Sequence, residues 1–186
     1  MQTCRTLPDL WILTARRWRA EIYKTFLNCA ARIIRSEGGT ITAYDGDRVM
    51  AVNTGDTKNT QAVRTALKIN YAAKQIVSPA LWSMYPHKRG QTVTHVVGID
   101  TSQLFVARTG VRGANDLVWI GRAANYAAKL ATLPDAYSTY ITEEVYKGML
   151  EQGRTSSGGQ SMWEQVRWNT FGNRIIYRSN WSWRID

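Results

Sequence analysis

The sequence predicts an α+β sandwich, and two observations carry that expectation. Segments whose apolar residues recur at helical spacing alternate with short runs of alternating polarity, and most of those runs are joined by turns short enough for hairpins. With 186 residues, 44% of them hydrophobic, the chain can bury one sizeable core, so a single domain over residues 1–186 is expected.

Taken in order, residues 13–37 read as a long amphipathic helix. Trp18, Ile22, Phe26, Ala30 and Ile33 or Ile34 share one stripe, and Gly38 is the stop. Residues 38–52, GGTITAYDGDRVMAV, read as two strands around an Asp45-Gly46 turn with Asp47 at the tip. The polar turn NTGDTKNT leads to a second helix over 60–77, spaced by Val63, Ala66, Leu67, Ala73 and Ile76, which Ser78-Pro79 should break. Strands at 92–100 and 104–109 join through Thr101-Ser102-Gln103, and a short apolar strand at 117–120 feeds a helix at 120–131. A strand at 138–141, a helix at 143–150 and the flexible linker EQGRTSSGGQS follow. Residues 174–185 look like a closing strand or hairpin, with Trp181 and Trp183 alternating along a strand.

Composition narrows the function classes. No run approaches the length of a membrane span, and the basic N-terminus lacks an apolar stretch followed by a small-residue cleavage site, so a cytoplasmic protein with no membrane partner is expected. Cys4 and Cys29 lack metal-ligand spacing and read as a terminal thiol and a helix thiol. The net charge of +10 suits a nucleic acid or a small triphosphate. The basic residues are scattered rather than blocked, and the tryptophans fall in apolar or alternating runs that suit packing, so nucleic acid is not the expected partner. His87 and His95 are isolated and read as surface or sheet residues.

The chemistry-bearing motif lies in residues 110–130, GVRGANDLVWIGRAANYAAKL. Asn125 and Lys129 are four apart and so share one helix face, and Asp116 stands just upstream at the start of the strand that feeds the helix. The tip of the first hairpin can present Asp47 to a metal without burying an unpaired charge. In this order the residues resemble the signature of class III nucleotidyl cyclases. There an Asp before a strand contacts the base, an Asn and a basic residue one helical turn apart contact the substrate in the transition state, and a Gly-Asp hairpin tip supplies one of two metal-binding Asp residues. Ordinary adenylate and guanylate cyclases carry a purine-selecting Lys or Glu four positions before that tip Asp, where this chain has Ala43, followed by Tyr44. An aromatic ring there favours a small base. The runs ITAYDGDRVMAV, VGIDTS, GVRGANDLVWIGRAANYAAKL and IYRSNWSWRI look like the pyrimidine cyclases of the bacterial Pycsar antiphage system. The similarity runs from about Trp18 to the C-terminus.

That resemblance implies a ferredoxin-like, antiparallel-rich sheet flanked by helices. It implies two divalent ions, Mn2+ or Mg2+, and a homodimer in which Asp47 of one chain works with Asp116, Asn125 and Lys129 of the other. It also implies a pyrimidine ribonucleoside triphosphate as substrate and a separate effector that responds to the cyclic nucleotide in antiviral defence. Asp47 would bind metal, Asn125 would orient the ribose, and Lys129 would stabilise charge growing on the α-phosphate. Tyr44 would shape the base pocket and Asp116 would meet a base edge, either cytosine's amino group or uracil's N3 hydrogen. Arg48 and Arg122 flank the two motifs as candidate phosphate contacts or ion-pair residues.

Two departures stand out. Family spacing puts a second metal Asp, in a D-x-x-G-[FS]-T context, near Thr3, but the start MQTCRTLPDLWILTARR carries only Asp9, so the first strand reads as atypical or truncated. Lys129 stands where most members have Arg, keeping the charge but not the bidentate fork. The expected function is a uridylate cyclase converting UTP to cyclic UMP and pyrophosphate. A cytidylate cyclase making cyclic CMP, an inactive nucleotide-binding homologue and a nucleic-acid-binding module follow as alternatives.

Overall fold

A computed structural model of the chain describes residues 2–6 and 16–185. It opens with β1 (Gln2–Thr6), α1 (Arg16–Ser36), the hairpin β2 (Thr40–Asp45) and β3 (Arg48–Val52), then α2 (Lys58–Ala72) and α3 (Ser78–Met84). β4 (His95–Ile99), β5 (Phe105–Val111), β6 (Ala114–Ile120) and α4 (Arg122–Leu130) make up the middle. β7 (Thr139–Thr142), α5 (Glu143–Gly148), β8 (Glu164–Trp168) and β9 (Arg174–Ser179) close it.

Seven strands form one sheet in the order β2-β3-β1-β4-β7-β9-β8, and β5 and β6 form a separate two-stranded arm. The main sheet is antiparallel apart from the β4–β7 pair. This is the α+β layer arrangement expected from the sequence.

Each strand shows one face to one layer, because successive side chains alternate. On β4, Val97 and Ile99 join the large core with α1 and α2, whereas Val96 joins Leu130 of α4 in a second cluster. The helices α1 and α2 therefore cover one face of the sheet, and α4 covers the other. The stripe predicted for α1 is that contact: Trp18, Ile22, Phe26, Ala30, Ile33 and Ile34 are all buried. Each large member contributes about 1.5–3 kcal/mol.

The first strand, read as atypical, lies between β3 and β4, with Gln2 set against Ala51 on one side and Ile99 on the other. Three expectations need correction. Ser78-Pro79 does not end the second helix, because the chain passes through a π-turn at Ala73–Val77 straight into α3. Pro79 sits in the first turn of α3, where its missing N–H costs nothing, and Ser78 Oγ donates to the Ala73 carbonyl at 2.7 Å. The stretch read as a flexible linker is folded on itself: the Met162 N–H donates to the Arg154 carbonyl, and Arg154 donates to the carbonyls of Tyr146, Lys147 and Met149. The expected closing strand is β9, which pairs with β8 in a hairpin. Trp181 and Trp183 lie beyond β9 and outside any strand, where the Trp183 N–H bonds to the Leu67 carbonyl. The start of the first helix at 13–15 and Asp9 lie outside the described residues.

Candidate active site

The β2–β3 hairpin presents Asp47. Asp45 pairs with Arg48, so the turn is Gly46-Asp47 rather than Asp45-Gly46. Gly46 has φ +56° and is the first of two turn residues, the position at which the hairpin turns that match strand twist call for glycine. Asp47 is thus held at the end of two paired strands with its carboxylate partly open to solvent, 3.9 Å from Arg48 Nε. It also lies near Tyr23 of α1: burial raises the Tyr23 phenol pKa, and the Asp47 charge raises it further. A register shift between Ile41 and Ala43 bends β2 on its way to the turn. Beyond that shift, Ala43 is set opposite Met50, on the α4 side, and Tyr44 opposite Val49, on the α1 side. Tyr44 is more than half exposed on this edge strand.

The second half of the site is α4. Gly98 lets it lie close on β4, since a Cβ there would stand 2.2 Å from the Ala127 carbonyl oxygen and 2.6 Å from the Ala131 nitrogen. Ala123, Ala127 and Leu130 face the sheet and are buried, leaving Asn125 and Lys129 together on the exposed face. The start of the helix is fixed from outside: Ser102 Oγ accepts the Ala123 N–H at 3.0 Å. Arg122 donates to Glu144 at 2.6 Å and to the Thr101 carbonyl at 2.7 Å, and its Nε lies 3.2 Å from Asp100. Asp100 is fully buried and also accepts the Thr142 hydroxyl at 2.6 Å. Burial alone would lower the Arg122 pKa, but Asp100 and Glu144 outweigh it and hold the guanidinium charge in place. Burial likewise pushes the Glu144 carboxyl up, yet its backbone hydrogen bond and Arg122 bring it below the usual carboxylate range.

Sequence reasoning therefore finds the exposed groups and misses their supports. Arg122 is engaged by carboxylates of the fold, so the candidate phosphate contact is an anchor of α4. The sequence leaves Gly98 and Glu144 unmarked as supports. For Asp100 and Ser102 the available signal is the D-T-S of the VGIDTS run, polar directly after an apolar strand. Asp116 lies on the exposed arm, opposite Thr109, with Oδ1 accepting its neighbour Leu117's N–H at 2.7 Å. Among the described residues, no hydrogen bond or ion pair joins Asp47 to Asp116, Asn125 or Lys129 within one chain.

Among the described residues, no second carboxylate for a metal pair stands beside Asp47. Beside the hairpin, β1 carries no carboxylate, and its buried Gln2 amide and Thr3 hydroxyl have no hydrogen-bond partner. No group of three His, Cys, Asp or Glu that could hold a metal occurs among the described residues. One divalent ion fits, because a single carboxylate together with substrate phosphates and water is a common magnesium environment.

Among the described residues, six of the eleven exposed large hydrophobic side chains lie on the arm. Phe105 and Val111 are 77% and 73% exposed, and Val106, Leu117, Val118 and Ile120 are open as well. No helix among the described residues is long and apolar enough to cross a membrane.

No family model matches the chain. It is, however, 61% identical to a uridylate cyclase of Xanthomonas perforans over 90% of this chain and 71% of the relative. It is 52% identical to a uridylate cyclase of Burkholderia cepacia over 94% of this chain and 75% of that relative. A uridylate cyclase of Rhodovulum is 40% identical over 91% and 72%. Among solved structures, a bacterial light-regulated adenylyl cyclase matches all of this chain and 52% of its own, with a TM-score of 0.77 at 20% identity. The guanylyl cyclase Cya2 matches 98% of this chain and 91% of its own, with a TM-score of 0.76 at 14% identity. These structures share the sheet and helix arrangement described above, and the uridylate cyclases align with at least 90% of the sequence laid over it. The chain belongs to the uridylate cyclases, on the class III nucleotidyl cyclase fold.

Proposed function

We propose that this protein converts UTP to cyclic UMP and pyrophosphate in a site shared between two chains. The observation that carries the reading is the exposed face of α4, where Asn125 and Lys129 stand together on a helix locked to the sheet, in a chain 61% identical to a uridylate cyclase. The ribose 3'-oxygen attacks the α-phosphorus and pyrophosphate leaves, so negative charge develops on the α-phosphate. Lys129 meets that charge from a preorganised position, which can supply several kcal/mol in a site closed to water. Asn125, one helical turn earlier, hydrogen-bonds the ribose and aims its 3'-oxygen.

Asp47 is the ligand for one divalent ion, Mn2+ or Mg2+, whose chemistry when bound is to neutralise the triphosphate. Arg48, beside Asp47 and partly exposed, contacts the phosphates. Asp116 accepts the uracil N3 hydrogen through its remaining lone pairs, and Tyr44 reaches the base from the sheet edge. CTP is the competing substrate, because a carboxylate also accepts from cytosine's amino group.

The arm supports the dimer in this reading. Its open apolar side chains are of the kind that a second copy covers, and the same copy would bring Asp47 to the partner's α4. The product is a cytoplasmic second messenger in antiviral defence, read by a separate effector that responds to the cyclic nucleotide.

A second reading is favoured by β1, which supplies no carboxylate: the chain binds UTP and dimerises without turnover. Mixing Asp47→Ala and Asn125→Ala chains and following cyclic UMP separates the two. A shared active site returns up to about a quarter of wild-type activity, because half the dimers are mixed and each carries one intact site. A site built within one chain returns none, and the non-catalytic reading gives no product even from the wild type.

A further inference from the structure

We propose that Phe171 is a positioning residue for Lys129. The proposal rests on the reading of Lys129 as the cation that meets the α-phosphate. Lys129 Nζ stands 3.9 Å from the centroid of the Phe171 ring, which reaches it from the turn between β8 and β9. An ammonium over an aromatic face is held by the ring's quadrupole.

The ring is fixed on both sides. Tyr126 meets it edge-on at 4.8 Å and 89°, and Trp168 lies 4.8 Å away at 32°. Trp168 is buried in the cluster that contains Leu130 of α4, so ring and helix share one packed unit. The Phe171 N–H donates to the Trp168 carbonyl at 3.1 Å, and Gly172 and Asn173 turn the chain sharply into β9 with φ of 69° and 53°.

Charge explains why a ring stands there. A carboxylate would hold Lys129 but cancel the charge that the reaction needs, and among the described residues Lys129 has no carboxylate partner. A ring attracts the ammonium and leaves its full charge for the substrate. The device matters for lysine in particular, whose four-carbon stem is flexible where an arginine fork would be preorganised. Phe171 narrows the stem's conformations and keeps the ammonium on the side of α4 that carries Asn125.

The test compares Phe171→Leu, Phe171→Tyr, Lys129→Ala and the double variant Phe171→Leu/Lys129→Ala, with UTP turnover followed by cyclic UMP formation. Phe171→Leu keeps an apolar side chain and loses the ring. It should lower kcat about tenfold, equivalent to about 1.4 kcal/mol, with KM for UTP little changed. Phe171→Tyr should restore kcat, and Phe171→Leu should cost nothing further in the Lys129→Ala background. The ring-current shift of the Lys129 ε-protons, read by NMR without substrate, should persist in Phe171→Tyr and vanish in Phe171→Leu. Wild-type kcat in Phe171→Leu, or an equal loss with and without Lys129, overturns the proposal. Wild-type kcat in Lys129→Ala overturns instead the role of Lys129 on which it rests.

Discussion

Gly98 of β4 lies so close beneath Ala127 of α4 that a Cβ on the glycine would stand 2.2 Å from the Ala127 carbonyl oxygen. That atom is backbone, so an added methyl can be accommodated only by moving the helix. Gly98→Ala should therefore displace Asn125 and Lys129 together. A shift of about 1 Å is enough to lower kcat/KM roughly a hundredfold. Steady-state kinetics beside a thermal melt checks this, and wild-type kinetics in a folded Gly98→Ala protein would show that the close packing does not set the site.

Asp100 ties the start of α4 to the sheet through Arg122 and Thr142. Removing a fully buried carboxylate leaves the guanidinium with Glu144 as its remaining carboxylate partner, and breaking buried pairs commonly costs about 3 kcal/mol. Urea unfolding of Asp100→Ala should show a loss of that order, and turnover should fall through the disturbed helix start. A loss below about 0.5 kcal/mol, the scale of surface substitutions, would place Asp100 outside the structural support of α4.

These two supports mark where the sequence ceases to be legible. Asn125 and Lys129 can be read because four-residue spacing within a helix is local, and Asp47 because hairpin turns have their own residue chemistry. Gly98 and Asp100 act only once α4 folds back over β4, and nothing near them in the chain announces that contact. Phe171 meets Lys129 through a turn far along the chain for the same reason. At Ser78-Pro79 the breaker rule for proline does not hold, because its place in the first turn of α3 and the bond from Ser78 to Ala73 make it harmless.

Tyr44 tests how the base is chosen. The register sets it on the α1 side of an edge strand, so it can meet the base only around the sheet edge, while Ala43 faces the α4 side directly. Tyr44→Ala should lower kcat/KM for UTP at least about tenfold, the scale on which pocket contacts discriminate. Competition assays of the four ribonucleoside triphosphates would measure it. Unchanged UTP preference would assign base choice to the Ala43 side.

His95 gives stability a pH dependence. Burial, aided by the nearby Lys74 charge, lowers its pKa from 6.5 to about 3. Between these values the unfolded chain binds a proton that the folded chain does not, so stability is full above 6.5 and falls as pH drops toward 3. The slope from this residue reaches about 1.4 kcal/mol per pH unit. The Glu37 and Glu144 carboxyls, held below the usual carboxylate range despite burial, add their losses only at the acid end. Urea midpoints of wild type and His95→Leu from pH 7 to pH 4 should diverge, the variant being the flatter of the two. Parallel curves would mean that His95 takes up its proton in the folded state.

The central claim is that this chain makes cyclic UMP. Incubating the purified protein with Mn2+ and each of the four ribonucleoside triphosphates in turn, followed by mass spectrometry, tests it most directly. The account predicts cyclic UMP from UTP as the dominant product, abolished by Asp47→Ala and reduced to a small but measurable residue by Lys129→Ala. Cyclic CMP as the main product would contradict the base assignment, and no cyclic nucleotide from any of the four would contradict the assignment of catalysis to this chain.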